Sequence, residues 1–228
     1  DGLWTWIRDV GLISVDHNGR RSMHGFAVDV TDIQEANQLI ARQAMEDSLT
    51  GLANRRRLFI ELGELNQACT PLALFMIDLD LFKKVNDSFG HEAGDHLLQF
   101  VASQLRELIG DDGLVARLGG DEFAIVCPGL TSEAETAALV AKIRSATSEP
   151  VALANGQVSI SLSIGVAISA GLVDGTTLLR HADIAMYEAK EHGQPYQVFD
   201  LTLDPSSAMT LSLGPALHHG IEAEQPQL

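Results

Sequence analysis

The stretch "LVARLGGDEFAIV" (residues 114–126) constrains the fold more tightly than any other. Two apolar runs flank Gly119 and Gly120, and the acids Asp121 and Glu122 follow at once. Apolar segments joined by so short a glycine turn make a β-hairpin, whose strands are antiparallel neighbours. A sheet that contains them is not purely parallel.

The segments around the hairpin complete a layered pattern. "LALFMIDL" reads as a buried strand ending in acids. "HEAGDHLLQFVASQLRELIG" has the 3.6-residue period of an amphipathic helix, closed by Gly110. "SEAETAALVAKIRSAT" predicts a second long helix, and "TTLLRHADIAMYEAKEHG" a third with Gly193 at its end. "VSISLSIGVAIS" alternates as a strand, and "YQVF" is a last one. The expected class is α+β, a central, mostly antiparallel sheet flanked by helices. With 46% of residues apolar and 20% charged, a packed core is expected.

The ends differ from this middle. Residues 1–31 alternate polar and apolar, with "DHNGR" as a hairpin turn between "GLISV" and "RSMHGFAVDV". Thr31 or Asp32 is the expected N-cap of a helix over residues 32–46. Ile33, Ala36, Ile40 and Ala44 fall on one face of that helix and could join two copies. Residues 47–200 form the main domain. Residues 201–228, rich in Pro, Ser and Gly, read as a linker running into a short helix.

A net charge of −16 argues against a general nucleic-acid surface, which needs a basic face. A phosphorylated ligand must then be held locally, by metal ions, backbone amides or a few placed cations. Cys69 and Cys127 have no metal-ligand spacing and read as reduced thiols of a cytoplasmic protein. The apolar run "PLALFMI" is far too short to span a bilayer. The chain opens on Asp1 without a methionine and reads as a fragment, so membrane segments elsewhere in its parent stay open.

Asp78 and Asp80 end the apolar strand at a spacing of two, which points both to one face. If the hairpin pairs beside that strand, three or four carboxylates converge on one sheet edge. Such hard oxygen ligands suit Mg²⁺. Gly119 and Gly120 would let a flat ligand approach the backbone, although Gly–Asp pairs are also ordinary turn chemistry. The run "DLDLFKKVNDSFGHEAGD" adds Lys83, Lys84, Asn86, Asp87, His91 and Asp95, a polar wall with groups able to bond a purine edge. His91 fits capping or packing as well as ligand contact. Lys190 fits a surface lysine at a helix end or a cation for phosphates.

Six motifs occur in order: "DSLTGLANRR" (47–56), "DLDLFKKVND" (78–87), "GHEAGD" (90–95), "RLGGDEF" (117–123), "SIG" (163–165) and "ADIAMYEAK" (182–190). Together they make residues 47–199 resemble the GGDEF domain, the bacterial diguanylate cyclase, with the palm-like fold of polymerases and adenylate cyclases. The resemblance implies condensation of two GTP into cyclic di-GMP by a homodimer, with Mg²⁺ or Mn²⁺ as cofactor. It places the metal on Asp78, Asp121 and the Leu79 carbonyl. Asp121 would activate the ribose 3′-hydroxyl, and Glu122 would support the metals. Asn86 and Asp95 would read guanine with His91 close by, and Phe82, Lys83 and Lys190 would contact the triphosphate. Gly119 and Gly120 would make room for GTP.

Two positions depart from the family pattern. Gly110 and Gly113 stand where an Arg-x-x-Asp product-inhibition site is usual, so no feedback inhibition is expected there. Gln194 replaces a phosphate-binding arginine. More weakly, residues 1–37 resemble the final strands and exit helix of a PAS domain. The "LHHGIEAEQPQL" tail resembles the entry to an EAL-type phosphodiesterase domain.

Overall fold

The computed structural model describes residues 5–200 and 203, except 16, 154–155 and 172–173; the side chains of residues 37–43 are also left undescribed. The expectations for residues 201–228, apart from Leu203, and for the Ile40 side chain therefore lie outside what is described. The chain divides into two units, Asp1–Met45 and Glu46–Leu228.

In the first unit, β1 (Ile7–Val15) pairs antiparallel with β2 (Arg21–Asp29) across the expected turn. Helix α1 (Thr31–Met45) follows. It starts one residue earlier than a cap at Thr31 allows, and two earlier than one at Asp32. The Asp29 carboxylate accepts the Thr31 N–H at 2.9 Å, and the Thr31 hydroxyl accepts the Trp6 N–H at 2.9 Å. Large apolar side chains are exposed on both strands, among them Leu12, Ile13, Met23 and Phe26. On α1, Ile33 and Ala36 are exposed.

The second unit begins with β3 (Ala53–Asn54), followed by α2 (Arg55–Gln67), which the Asn54 side chain caps at the Arg57 N–H. Next come β4 (Leu72–Leu79), α3 (Phe82–Phe89) and α4 (His91–Ile109). The hairpin is β5 (Leu114–Gly119) with β6 (Glu122–Pro128). Then follow α5 (Glu133–Ala146), β7 (Val151–Leu153), β8 (Gly156–Val158), β9 (Leu162–Ser169), α6 (Gly175–Glu191) and β10 (Tyr196–Val198).

Six strands form one sheet in the order β10-β9-β4-β6-β5-β3. Its three inner pairings are antiparallel and the two outer ones, β10 with β9 and β3 with β5, are parallel. The mostly antiparallel α+β sheet read from the sequence is what forms. The alternating run "VSISLSIGVAIS" is not one strand: it divides into β8, paired with β7, and β9 in the main sheet.

β4 is buried along its whole length because helices cover both faces. Ala73, Phe75, Ile77 and Leu79 pack with α4 and α5 residues such as Leu97, Val101, Leu105 and Ile143. Leu72, Leu74 and Met76 pack with Leu58 and Leu62 of α2 and Leu178, Ala182 and Met186 of α6. A strand buried on both faces carries a continuous apolar run rather than an alternating one.

Candidate active site

Strand alternation puts Asp78 on the same face of β4 as Met76, toward α6. In the β4–β6 register Asp78 lies opposite Glu122, so the two carboxylates share a face. The Leu79 N–H donates to the Asp121 carbonyl at 3.3 Å, which joins the hairpin tip to the end of β4. Asp78, Asp121 and Glu122 are thereby gathered at one edge of the sheet.

Lys190 reaches this edge from the last turn of α6. Its Nζ donates to Asp78 Oδ1 at 2.5 Å. The glycine of "SIG" makes that reach possible. A β carbon on Gly165 would overlap the Ala182 carbonyl and the Met186 amide nitrogen, so α6 lies directly on the β9 backbone.

Asp78 is only 9% exposed, and burial is the main cause that raises its carboxyl above the ordinary range. Lys190 opposes the shift, and the charges of Asp121 and Asp80 add to it. Burial likewise raises Glu122, helped by Asp183, Asp121 and Asp78 and opposed by Arg55. The Asp78 hydrogen bond is the leading cause that raises Lys190. The carboxylates crowd one another here, and Lys190 and Arg55 offset their charge only in part.

Asp80 does not join the three acids as a free carboxylate. Its two oxygens accept the hydroxyls of Ser161 and Ser163, each at 2.7 Å, and its N–H donates to the Ser161 carbonyl at 3.0 Å. It fastens the start of β9 to the end of β4 instead.

Among the described residues, no three His, Cys, Asp or Glu side chains form a metal-holding group. The expected set needs only two side chains, Asp78 and Asp121, with the Leu79 carbonyl. All three donors are hard oxygens, as Mg²⁺ requires, and the raised Asp78 carboxyl marks a place where added positive charge is favourable. The residues fit a divalent ion.

After β4 the backbone turns through Leu81, whose φ of 61° is unusual for a side chain of that size. This turn opens α3, and no side chain caps the helix there. The Lys84 N–H donates to the Leu81 carbonyl at 2.8 Å, and the positive end of the helix dipole faces this turn. Phe82 is half-buried against the core and Lys83 is exposed. Asn86 packs on α4 at Gly94, where a β carbon would overlap its Oδ1. His91 and Asp95, in the first two turns of α4, are exposed. Gly119 and Gly120, with φ of 144° and 54°, have open space around them.

Three residues beside these were not singled out in the sequence: Gly94, Gly165 and Arg117. The glycines stood within quoted motifs, and only the packing shows that they are seats for Asn86 and α6. Arg117 stood at the edge of its motif. Its guanidinium donates to the Gly120 carbonyl and to Asp47.

The profile described as "Diguanylate cyclase, GGDEF domain" matches residues 44–195. The chain belongs to this family. Signaling protein YkoW of Bacillus subtilis is 35% identical over 225 residues, 95% of this chain and 28% of YkoW. Diguanylate cyclase TpbB of Pseudomonas aeruginosa is 40% identical over 168 residues, 71% of this chain and 39% of TpbB. The chain thus spans well under half the length of either relative. Among solved structures, the coiled coil and GGDEF domain of DgcB from Caulobacter crescentus, in complex with c-di-GMP, is similar with a TM-score of 0.67 and 28% identity. That likeness covers 75% of this chain and 92% of the solved DgcB chain. The fold is therefore that of GGDEF domains. Among the described residues, no helix is long and apolar enough to cross a membrane.

Proposed function

We propose that this GGDEF domain is a diguanylate cyclase that condenses two GTP into cyclic di-GMP and two pyrophosphates. The observation that carries the reading is the buried Asp78, faced by Lys190 and flanked by the hairpin acids. Asn86 and Asp95 hold the guanine, with His91 beside them. The open end of α3, with Phe82 and Lys83, and Lys190 receive the triphosphate, while Gly119 and Gly120 leave room for the nucleotide.

Each 3′-oxygen attacks the α-phosphorus of the other GTP. The bond to the β-phosphate breaks, pyrophosphate leaves, and the hydroxyl proton is drawn off at the Asp121 carboxylate. Glu122 supports the charge of the site from the adjacent position on β6. Mg²⁺, or Mn²⁺, held by Asp78, Asp121 and the Leu79 carbonyl would neutralise phosphate charge and lower the pKa of the attacking hydroxyl. One domain holds one GTP, so two domains must face each other antiparallel, and catalysis depends on dimer geometry.

For the two ends the proposal rests on the weaker sequence resemblance. The apolar side chains exposed on β1 and β2 support a piece of a larger PAS-like sheet, with α1 as the connecting helix. The last residues are a linker toward an EAL-type domain. A second reading, a GTP-binding module that regulates such a phosphodiesterase, is favoured by Gln194 alone. Substitution Asp121→Ala separates them. A cyclase loses its cyclic di-GMP output, whereas a regulatory module has none to lose and keeps GTP binding.

A further inference from the structure

The two glycines at the hairpin tip have no side chain with which to hold their place. Both are exposed, and a β carbon on either would meet nothing within 4 Å. The ladder is also irregular here, because the register shifts between Arg117 and Gly119. Two adjacent exposed glycines leave the backbone a wide choice of conformations. Yet Asp121, the next residue, needs a defined direction if it is to act beside Asp78.

Arg117 supplies the missing restraint. Its Nε and Nη2 donate to the Gly120 carbonyl at 3.1 and 2.7 Å. That carbonyl belongs to the peptide plane that enters Asp121. The plane that leaves Asp121 is held as well, because its carbonyl accepts the Leu79 N–H at 3.3 Å. With both planes fixed, the Asp121 Cα and the direction of its side chain are fixed relative to the end of β4.

The other side of the guanidinium is anchored. Arg117 Nη1 donates to both Asp47 oxygens at 3.1 and 3.3 Å, and the two side chains are 11% and 22% exposed. Asp47 Oδ1 also accepts the Thr50 N–H and hydroxyl at 2.9 and 2.7 Å. The surrounding turn is tied to α4, where Arg106 donates to the Thr50 carbonyl at 3.0 Å and Gln99 to the Leu49 carbonyl at 3.2 Å. The chain from α4 through Asp47 and Arg117 to Gly120 is continuous.

We infer that Arg117 is a positioning residue that holds the Asp121 carboxylate in register with Asp78, with Asp47 as its anchor. Lysine at 117 keeps the charge but cannot grip the carbonyl and the carboxylate together in a planar fork. The inference rests on the proposed cyclase reading for its rate arm only. The variants are Arg117→Lys and Asp47→Asn, each first checked for wild-type secondary structure and cooperative unfolding.

Three quantities are then measured: Mn²⁺ binding without nucleotide, by electron paramagnetic resonance, and kcat and KM for GTP. Arg117→Lys should weaken Mn²⁺ binding and lower kcat about tenfold to a hundredfold, with KM little changed because Asn86, Asp95 and Lys190 are untouched. Asp47→Asn should move both the same way by less. If wild type forms no cyclic di-GMP but Arg117→Lys still weakens Mn²⁺ binding, positioning stands and the cyclase reading falls. A folded Arg117→Lys protein with wild-type Mn²⁺ binding overturns the inference.

Discussion

Replacing Gly165 by alanine tests whether the close seat of α6 is what brings Lys190 to Asp78. The new β carbon would overlap the Ala182 carbonyl and the Met186 amide nitrogen and would lie 2.7 Å from Met186 Cα. Carbon atoms at rest sit about 3.5–4.0 Å apart, so the helix must retreat by roughly 1 Å. Every obstructing atom is backbone, and none can swing aside as a side-chain tip could. Overpacking by one methyl group costs about 1–3 kcal/mol, and this position belongs at the upper end. At 2–4 °C per kcal/mol for a domain of this size, Tm should fall by roughly 6–12 °C. Lys190 moves with the helix, and a displacement of about 1 Å near the chemistry can cost on the order of a hundredfold in rate. Calorimetry and the initial rate of pyrophosphate release read the two effects. A folded Gly165→Ala protein with unchanged Tm and the wild-type rate would refute the reasoning.

Gln194 is exposed just beyond α6, so Gln194→Arg should fit without strain and tighten GTP binding about tenfold to a hundredfold, measured by calorimetric titration. Asp47 is held below the ordinary carboxylate range: burial raises it, but the Thr50 hydrogen bonds and Arg117 outweigh burial. Its stabilisation is therefore present above the unfolded-state pKa and lost as pH falls through the lower folded value. Asp78 and Glu122 are raised, so their cost is relieved earlier in the fall, between their higher folded values and the unfolded ones. In urea midpoints measured against pH, Asp47→Asn should lose less stability than the wild type as pH falls below the ordinary aspartate range. At the two positions where the family pattern has Arg and Asp, a β carbon on Gly113 would overlap the Val126 carbonyl, and Gly110 has a φ of 54°. Gly110→Arg with Gly113→Asp should thus lower Tm and still not confer product binding, as calorimetric titration with cyclic di-GMP would show.

The parts that the sequence announced are those with local signals. The hairpin was legible because its turn is two glycines between apolar runs. β4 was legible because burial on both faces leaves an unbroken apolar run. α2 was not read: of its residues only Leu58 and Leu62 are buried, too few to mark a period. α3 was read as a polar wall, since a helix of 8 residues with a single buried side chain, Val85, looks like a loop. The separation of β8 from β9 left no trace in a pattern that alternates throughout. In the site, Asp78, Asp121 and Glu122 could be expected to meet once the hairpin was placed beside β4. Asp80 could not be told apart from them, because its partners Ser161 and Ser163 are 81 and 83 residues away. Arg117 and Asp47 are separated by 70 residues, and only the parallel pairing of β3 with β5 brings their segments together.

The most direct test of the central claim is to incubate this chain with GTP and Mg²⁺ over a range of protein concentrations, scoring cyclic di-GMP and pyrophosphate. The account predicts two pyrophosphates for each cyclic di-GMP, with product rising faster than linearly with protein because two domains must meet. Bound GTP with no product at the highest concentration would contradict it and leave the regulatory module as the function of this domain.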